Sequence, residues 1–204
     1  LLMAVKPQVM DQVFPPLAKL AGPNSVVLSI AAGRTIASFE KYLPAGSAVV
    51  RSMPNTPAAI GRGITVAAAN KHVTEQHKQT VTELLSAIGE VAWVDDEALI
   101  DPVTAVSGSG PAYVFYMVEA MAAAGVAAGL KPDLAMQLAR ATVTGAGELL
   151  HQSPLDAATL RQNVTSPNGT TFAALQVLMA KDGLEPLMTA AVAAATKRSR
   201  ELAQ

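Results

Sequence analysis

The stretch Val26-Val27-Leu28-Ser29-Ile30-Ala31-Ala32-Gly33-Arg34-Thr35 decides how the first half of this chain folds. Val26–Ile30 is a short, almost wholly apolar run, which suits a strand covered on both faces of a sheet. The small residues 31–33 then form a turn, and an amphipathic stretch opens at Thr35. The same alternation continues in both directions. Apolar runs at Leu1–Val5, Ala48–Met53, Ile64–Ala69 and Val91–Val94 are separated by helical patterns over 8–20, 35–43 and 74–88. Strands alternating with helices predict a doubly wound α/β sheet, parallel or mixed.

The second half has a different character. Val plus Ile number 18 in residues 1–100 and 9 in residues 101–204, with no Ile after Ile100, while Ala rises from 16 to 23. β-branched residues suit strands and Ala suits helices, so an architectural boundary is expected near 95–105. Beyond it, Ala/Leu/Met-rich stretches are punctuated by Gly, Pro and Asp at 107–111, 129–133, 153–156, 166–169 and 182–183, which reads as an all-helical domain. Residues 112–130, AYVFYMVEAMAAAGVAAGL, are apolar except for Glu119. A carboxylate in mid-helix is costly in lipid, so a buried helix is expected there rather than a membrane span. Ala120, Ala123, Ala124, Ala127 and Ala128, and the run 190–195, allow close helix approach. With so few large aromatics, the helical half needs more burial than one copy offers, and dimerisation through it is expected.

Composition narrows the function. With 15 Lys+Arg against 16 Asp+Glu, the chain has no basic footprint for nucleic acid or an anionic membrane. It has no cysteine, which excludes a thiol nucleophile and thiolate metal sites and fits a reducing cytoplasm. The first residues lack the pattern of a secretory signal peptide. Leu1-Leu2-Met3-Ala4-Val5 reads as a buried strand without an initiator Met, so a preceding piece is expected to be missing.

Candidate chemistry gathers where Gly-rich segments precede helices. His72-Val-Thr-Glu75-Gln-His77 fails the zinc-protease spacing and reads as solvated helix. Asp95-Asp96-Glu97 reads as the acidic start of a helix. Ser29–Gly33 suits a flat ligand at the carboxyl edge of the sheet and equally suits a plain tight turn. Ser107-Gly108-Ser109-Gly110-Pro111 fits structural capping as well as ligand contact. Val164-Thr165-Ser166-Pro167-Asn168-Gly169-Thr170-Thr171 carries four hydroxyls before a helix, where capping needs one. Free amides, hydroxyls and the positive end of a helix dipole suit a carboxylate or phosphate. Lys6, at the carboxyl end of the first strand, suits an anionic cofactor, a weak signal by itself.

Taken together, AVKPQ (4–8), SIAAG (29–33), RSMPNTP (51–57), SGSGPAYVF (107–115) and VTSPNGTT (164–171) resemble, in this order and spacing, the pyrroline-5-carboxylate reductases of proline biosynthesis. The resemblance implies a partial Rossmann-like dinucleotide-binding domain over 1–97 and an all-helical substrate-binding and dimerisation domain over 98–204. It implies NADPH or NADH as cofactor, 1-pyrroline-5-carboxylate as substrate, a homodimer or higher homo-oligomer, and a cytoplasmic location. Ala4, Val5, Lys6, Pro7, Ile30, Ala31 and Ala32 match cofactor-lining positions, as do Glu97 and Asn163, the latter toward the partner's site. Ser166, Gly169, Thr170 and Thr171 match the loop that holds the substrate, with Thr171 at the ring nitrogen.

Two departures accompany the resemblance. No G-x-G-x-x-G turn is present, since Gly61-Arg62-Gly63 and Gly108-Ser109-Gly110 lack the third glycine and the strand-to-helix context. Asn168 stands where the family more often has Gly, and Asn tolerates the left-handed backbone better than other side chains. Two further readings stay open at this level: another two-domain NAD(P)-dependent dehydrogenase, or a catalytically inactive dimerisation fragment.

Overall fold

Val49 and Val50 are both wholly buried although successive residues of a strand face opposite ways, so the sheet around them must be covered on both sides. The computed structural model, which describes residues 1–203, has that arrangement. Five strands, β1 (Leu2–Met3), β2 (Val26–Ser29), β3 (Ala48–Met53), β4 (Gly63–Ala69) and β5 (Gly89–Val94), lie side by side in chain order. β1, β2 and β3 run parallel, β4 turns antiparallel to β3, and β5 is parallel to β4. The expected strands are present within a few residues, and the sheet is mixed. β1 is shorter than its apolar run: Leu1 and Leu2 are exposed, Met3 is buried with Val5 packed half-buried against the same core, and Pro7 opens a short 3-10 turn.

One face of the sheet is covered by α1 (Met10–Ala18) and α2 (Ile36–Glu40). Met10, Phe14 and Ala18, four residues apart on one stripe, pack with Ile36 and Phe39 against Met3, Val27 and Val49. The Phe14 ring meets Phe39 edge-on at 5.0 Å and Tyr42 at 6.2 Å. α3 (Glu75–Ser86) covers the other face through Val81 and Leu85, against Leu28, Val50 and Ala67. Its start is a capping box: Thr74 Oγ1 accepts from His77 N–H at 3.2 Å, and His77 Nδ1 accepts from Thr74 N–H at 3.4 Å. α4 (Ile100–Val103) places Ile100 on Val66 and Ala68.

α4 runs on through a π-helical turn, Thr104–Gly108, toward α5 (Gly110–Ala127). The segment 107–111 is therefore a widened turn between helices and not a simple cap. A Cβ on Gly108 would lie 2.7 Å from Met53 Cε, the mobile end of a side chain from the end of β3.

The chain divides into two compact units. The first holds Leu1–Pro111 and the end of the last helix from Val192, where Ser199 Oγ donates to the buried Asp101 at 2.7 Å. The second, Ala112–Ala191, contains most of α5, then α6 (Pro132–Gln152), α7 (Ala157–Asn163), α8 (Thr170–Leu178) and the start of α9 (Leu184–Leu202). Its fully buried side chains are Ala122, Ala135 and Ala139. Within this unit α5 comes close to α6 at Ala122 and Gly125, where a Cβ on Gly125 would lie 3.2 Å from Ala135 Cβ, while Ala120, Ala123, Ala124, Ala127 and Ala128 are exposed. α5 is not buried within one copy: Phe115 is 62% exposed and Tyr116 70%. Among the described residues, no helix is long and apolar enough to cross a membrane.

Arg34, at the end of the turn after β2, is buried and reaches back to Asp11 on α1, whose carboxylate also accepts from Tyr42 OH at 3.4 Å. The hydrogen bond from Arg34, foremost, holds the Asp11 carboxyl below its ordinary value. A depressed carboxyl adds stability that is fully present above its unfolded pKa and is lost as pH falls through the folded one. Urea unfolding should therefore show a constant stability gap between the native chain and Asp11→Asn above about pH 4, shrinking below it. A gap that persists unchanged to pH 2 would contradict this. Phe14→Ala, which empties the aromatic contact under α2, should cost about 3–5 kcal/mol in the same measurement.

Candidate active site

The carboxyl ends of β1, β2 and β3 lie at one edge, where an open α/β sheet presents its binding crevice. Hydrogen bonds fix the strand ends to each other: Ile30 N–H donates to Met3 O at 3.1 Å, and the Ser52 hydroxyl donates to Ser29 O at 2.9 Å. The turn then leaves the sheet with Ala31 N–H on Ser29 Oγ at 3.2 Å, passes through Gly33 at φ +73°, and enters α2 at Thr35, whose hydroxyl accepts from Ser38 N–H. A Cβ on Gly33 would lie 2.9 Å from the Leu202 carbonyl oxygen. Ala32 is exposed and Ala31 buried, so the turn presents backbone and one methyl group.

Ala4, Val5, Lys6 and Pro7 follow β1 beside this turn. Lys6 is exposed, forms no ion pair among the described residues, and offers its carbonyl to Val9 N–H at 3.1 Å. These residues fit the nicotinamide end of a dinucleotide: a flat, side-chain-poor turn with a free cation at its rim. Glu97 belongs to the same unit but is already engaged. Its Oε1 accepts from Ile36 N–H at 2.8 Å and from Arg51 Nη1 at 3.0 Å. Its neighbour Asp96 is the cap of this acidic run, accepting from Ala98 N–H at 2.8 Å.

The hydroxyl-rich segment lies in the second unit. Asp156 caps α7 by accepting from Thr159 N–H at 2.8 Å and from its hydroxyl at 3.1 Å, and the amide bond foremost holds its carboxyl below the ordinary value. α7 ends at the exposed Asn163. Thr165 bonds back to Arg161 O at 2.6 Å, so its hydroxyl is spent on α7. Ser166 to Gly169 form a turn closed by Gly169 N–H on Ser166 O at 3.0 Å. Asn168 adopts φ +57°, the one non-glycine with positive φ among the described residues, so Asn meets the left-handed requirement that Gly meets elsewhere.

α8 begins at Thr170 with Gly169 as its cap and no side chain bonded to its first amides. The hydroxyls of Ser166, Thr170 and Thr171 make no hydrogen bond among the described residues. A Cβ on Gly169 would run into Ser166 Oγ and lie 3.2 Å from Ser166 O, so the turn packs closely against the start of the helix. The result is a set of unclaimed amides at the positive end of a nine-residue helix, with three unspent hydroxyls around it.

Sequence reasoning missed the Arg51–Glu97–Ile36 link and the Arg34–Asp11 pair. A signal for the first was present: Arg51 interrupts a run that must be buried, and a buried guanidinium requires a carboxylate.

A family model for pyrroline-5-carboxylate reductase dimerisation matches residues 97–202. The chain is 46% identical over 202 residues to the pyrroline-5-carboxylate reductase of Pseudomonas aeruginosa, covering 99% of this chain and 74% of that protein. Its fold matches that of the Coxiella burnetii enzyme with a TM-score of 0.93 at 37% identity, over 100% of this chain and 75% of that one. It matches the Plasmodium falciparum enzyme, solved with NADP bound, with a TM-score of 0.82 at 30% identity, over 100% and 76%. A mixed sheet with SIAAG at its carboxyl edge, a hydroxyl-ringed helix start and these similarities agree, and the chain belongs to the pyrroline-5-carboxylate reductase family.

Proposed function

We propose that the uncapped start of α8 binds 1-pyrroline-5-carboxylate, and that Thr171 addresses its ring nitrogen while NADPH or NADH reduces it to L-proline. The observation that carries this reading is the amide end of α8 in a chain of this family, left without a protein partner and ringed by the Ser166, Thr170 and Thr171 hydroxyls. A carboxylate there gains charge-assisted bonds from the amides of Thr170 and Thr171, in the favourable end of the dipole. Ser166 adds a hydroxyl from the turn.

Bound NAD(P)H supplies the hydride. The chain's own part is to hold the ring still and to answer the change at nitrogen. As the C=N bond becomes single, its π pair moves onto the nitrogen, and the Thr171 hydroxyl, half-buried, is the group suited to hydrogen-bond that atom. An imine that arrives protonated needs no general acid from the chain, and positioning supplies most of the rate. Ala4, Val5, Lys6, Pro7, Ile30, Ala31 and Ala32 would hold the nicotinamide end of the cofactor. Asn163 serves the same side toward a partner chain, and Glu97 borders it through its bonds to Ile36 N–H and Arg51.

Residues 1–97 are thus the cofactor half, and 98–204 the substrate and dimerisation half. A helical unit with an alanine core and exposed Phe115, Tyr116, Leu149 and Val177 completes its burial by pairing with a second copy. The lack of cysteine supports a reducing cytoplasm. Among the readings left open by the sequence, family membership supports the imine reductase over another two-domain dehydrogenase.

The test is NADPH oxidation by the purified protein on addition of pyrroline-5-carboxylate, compared with Thr171→Val, which keeps the shape and removes the hydroxyl. The substitution should cost about 1–3 kcal/mol in kcat/KM. Unchanged kcat and KM would remove Thr171 from the mechanism. Sedimentation equilibrium should show at least two chains per particle at micromolar concentration, and a folded monomer would contradict pairing through the helical half.

A further inference from the structure

The turn between β2 and α2 cannot hold itself in place. Ala31, Ala32 and Gly33 have no side chain able to form a hydrogen bond, yet a turn that receives a cofactor must keep one shape. Its restraints come from outside, and two of them meet on a single oxygen.

Arg51 lies inside β3, 4% exposed, and pairs in the sheet directly with Ser29, the residue from which the turn departs. Ile36 is the first residue of α2, where the turn ends. Glu97 Oε1 accepts from both, at 3.0 Å from Arg51 Nη1 and 2.8 Å from Ile36 N–H. One carboxylate oxygen therefore fixes the distance between the strand beside the turn's beginning and the helix at its end. The bond to Ile36 also satisfies an amide that α2 leaves without an intrahelical partner. The carboxylate in turn neutralises a guanidinium that burial would otherwise make costly.

Resting on the reading that the 30–33 turn carries the cofactor, we infer that Glu97 is a positioning residue: it sets the shape of that turn through Ile36 N–H and Arg51. The acceptor oxygen is the part of Glu97 that serves the cofactor, and the negative charge answers Arg51.

Two double variants separate these parts. Arg51→Met with Glu97→Gln removes the buried pair but keeps an oxygen for Ile36 N–H. Arg51→Met with Glu97→Leu removes the pair and the acceptor. Two readouts apply: hydrogen exchange of the Ile36 amide without cofactor, and NADPH affinity by calorimetric titration. The glutamine double should keep Ile36 protected and bind NADPH within about threefold of the native protein. The leucine double should speed Ile36 exchange and weaken NADPH by about tenfold or more, the loss of one well-placed bond. If the double variants do not fold, Glu97→Asp, whose shorter side chain keeps the charge but withdraws from Ile36, should show the same two losses, and unchanged exchange and affinity in it overturn the inference.

Ala32→Glu serves as the control on the underlying reading, because a carboxylate on the exposed turn must weaken NADPH if the cofactor lies there. If Ala32→Glu weakens NADPH while the two doubles bind it equally well or equally poorly, the positioning role of Glu97 is overturned and the cofactor turn stands. If Ala32→Glu binds NADPH as the native protein does, both fall.

Discussion

A guanidinium buried in a sheet must find a carboxylate, and in this chain the pairing of Arg51 with Glu97 sets the arrangement of the first unit. Arg51 occupies a position in β3 that the packing of Val49 and Val50 forces into the interior. Its partner arrives from the far side of β5, at the start of the segment that becomes α4 and the π-helical turn. Because the same oxygen also takes the first amide of α2, the charge pair joins three things: the middle of the sheet, the small-residue turn at its carboxyl edge, and the chain leaving for the helical half. Arg34 and Asp11 add a second tie from the other end of that turn to α1. A turn of alanines and glycine can thus be rigid without side chains of its own, which leaves its backbone open to a flat ligand.

The start of α8 follows a complementary rule. Where the 30–33 turn is held by bonds from outside, the start of α8 is left with its bonds unmade. Asp156 caps α7 and Thr165 bonds back onto it, so the approach to the loop is firm, and Gly169 with Asn168 in the left-handed region turns the chain without covering the helix end. The amides and the three hydroxyls that remain suit an anionic ring with a nitrogen, which is the chemistry of a cyclic imino acid. The helical unit around this loop has an alanine core too small to stand alone, and dimerisation completes it.

Much of this was legible in the residues. The apolar runs at 26–30, 48–53 and 64–69 are strands almost to the residue, because a strand buried on both faces has no polar positions to blur its limits. The run at 1–5 yields only a two-residue strand: Leu1 and Leu2 lie outside the core, and Pro7 opens a 3-10 turn after it. Helix 112–130 was expected to be buried because it is apolar. Within one chain it is largely exposed, as hydrophobicity does not say whether the cover comes from the same copy. Asn168 could be read correctly because backbone geometry limits the residues that accept positive φ. The Glu97 link could not be found by spacing alone: Arg51 and Ile36 are brought to one oxygen only by the β3 register and the path through β4 and β5.

The most direct test of this account is a crystal structure of the protein with NADPH and a saturated cyclic amino acid such as L-proline. The account predicts the carboxylate on the amides of Thr170 and Thr171, the Thr171 hydroxyl at the ring nitrogen, and the nicotinamide end of the cofactor against Ile30–Ala32 and Lys6. A carboxylate bound away from the start of α8, or a cofactor that leaves the 30–33 turn bare, would contradict it.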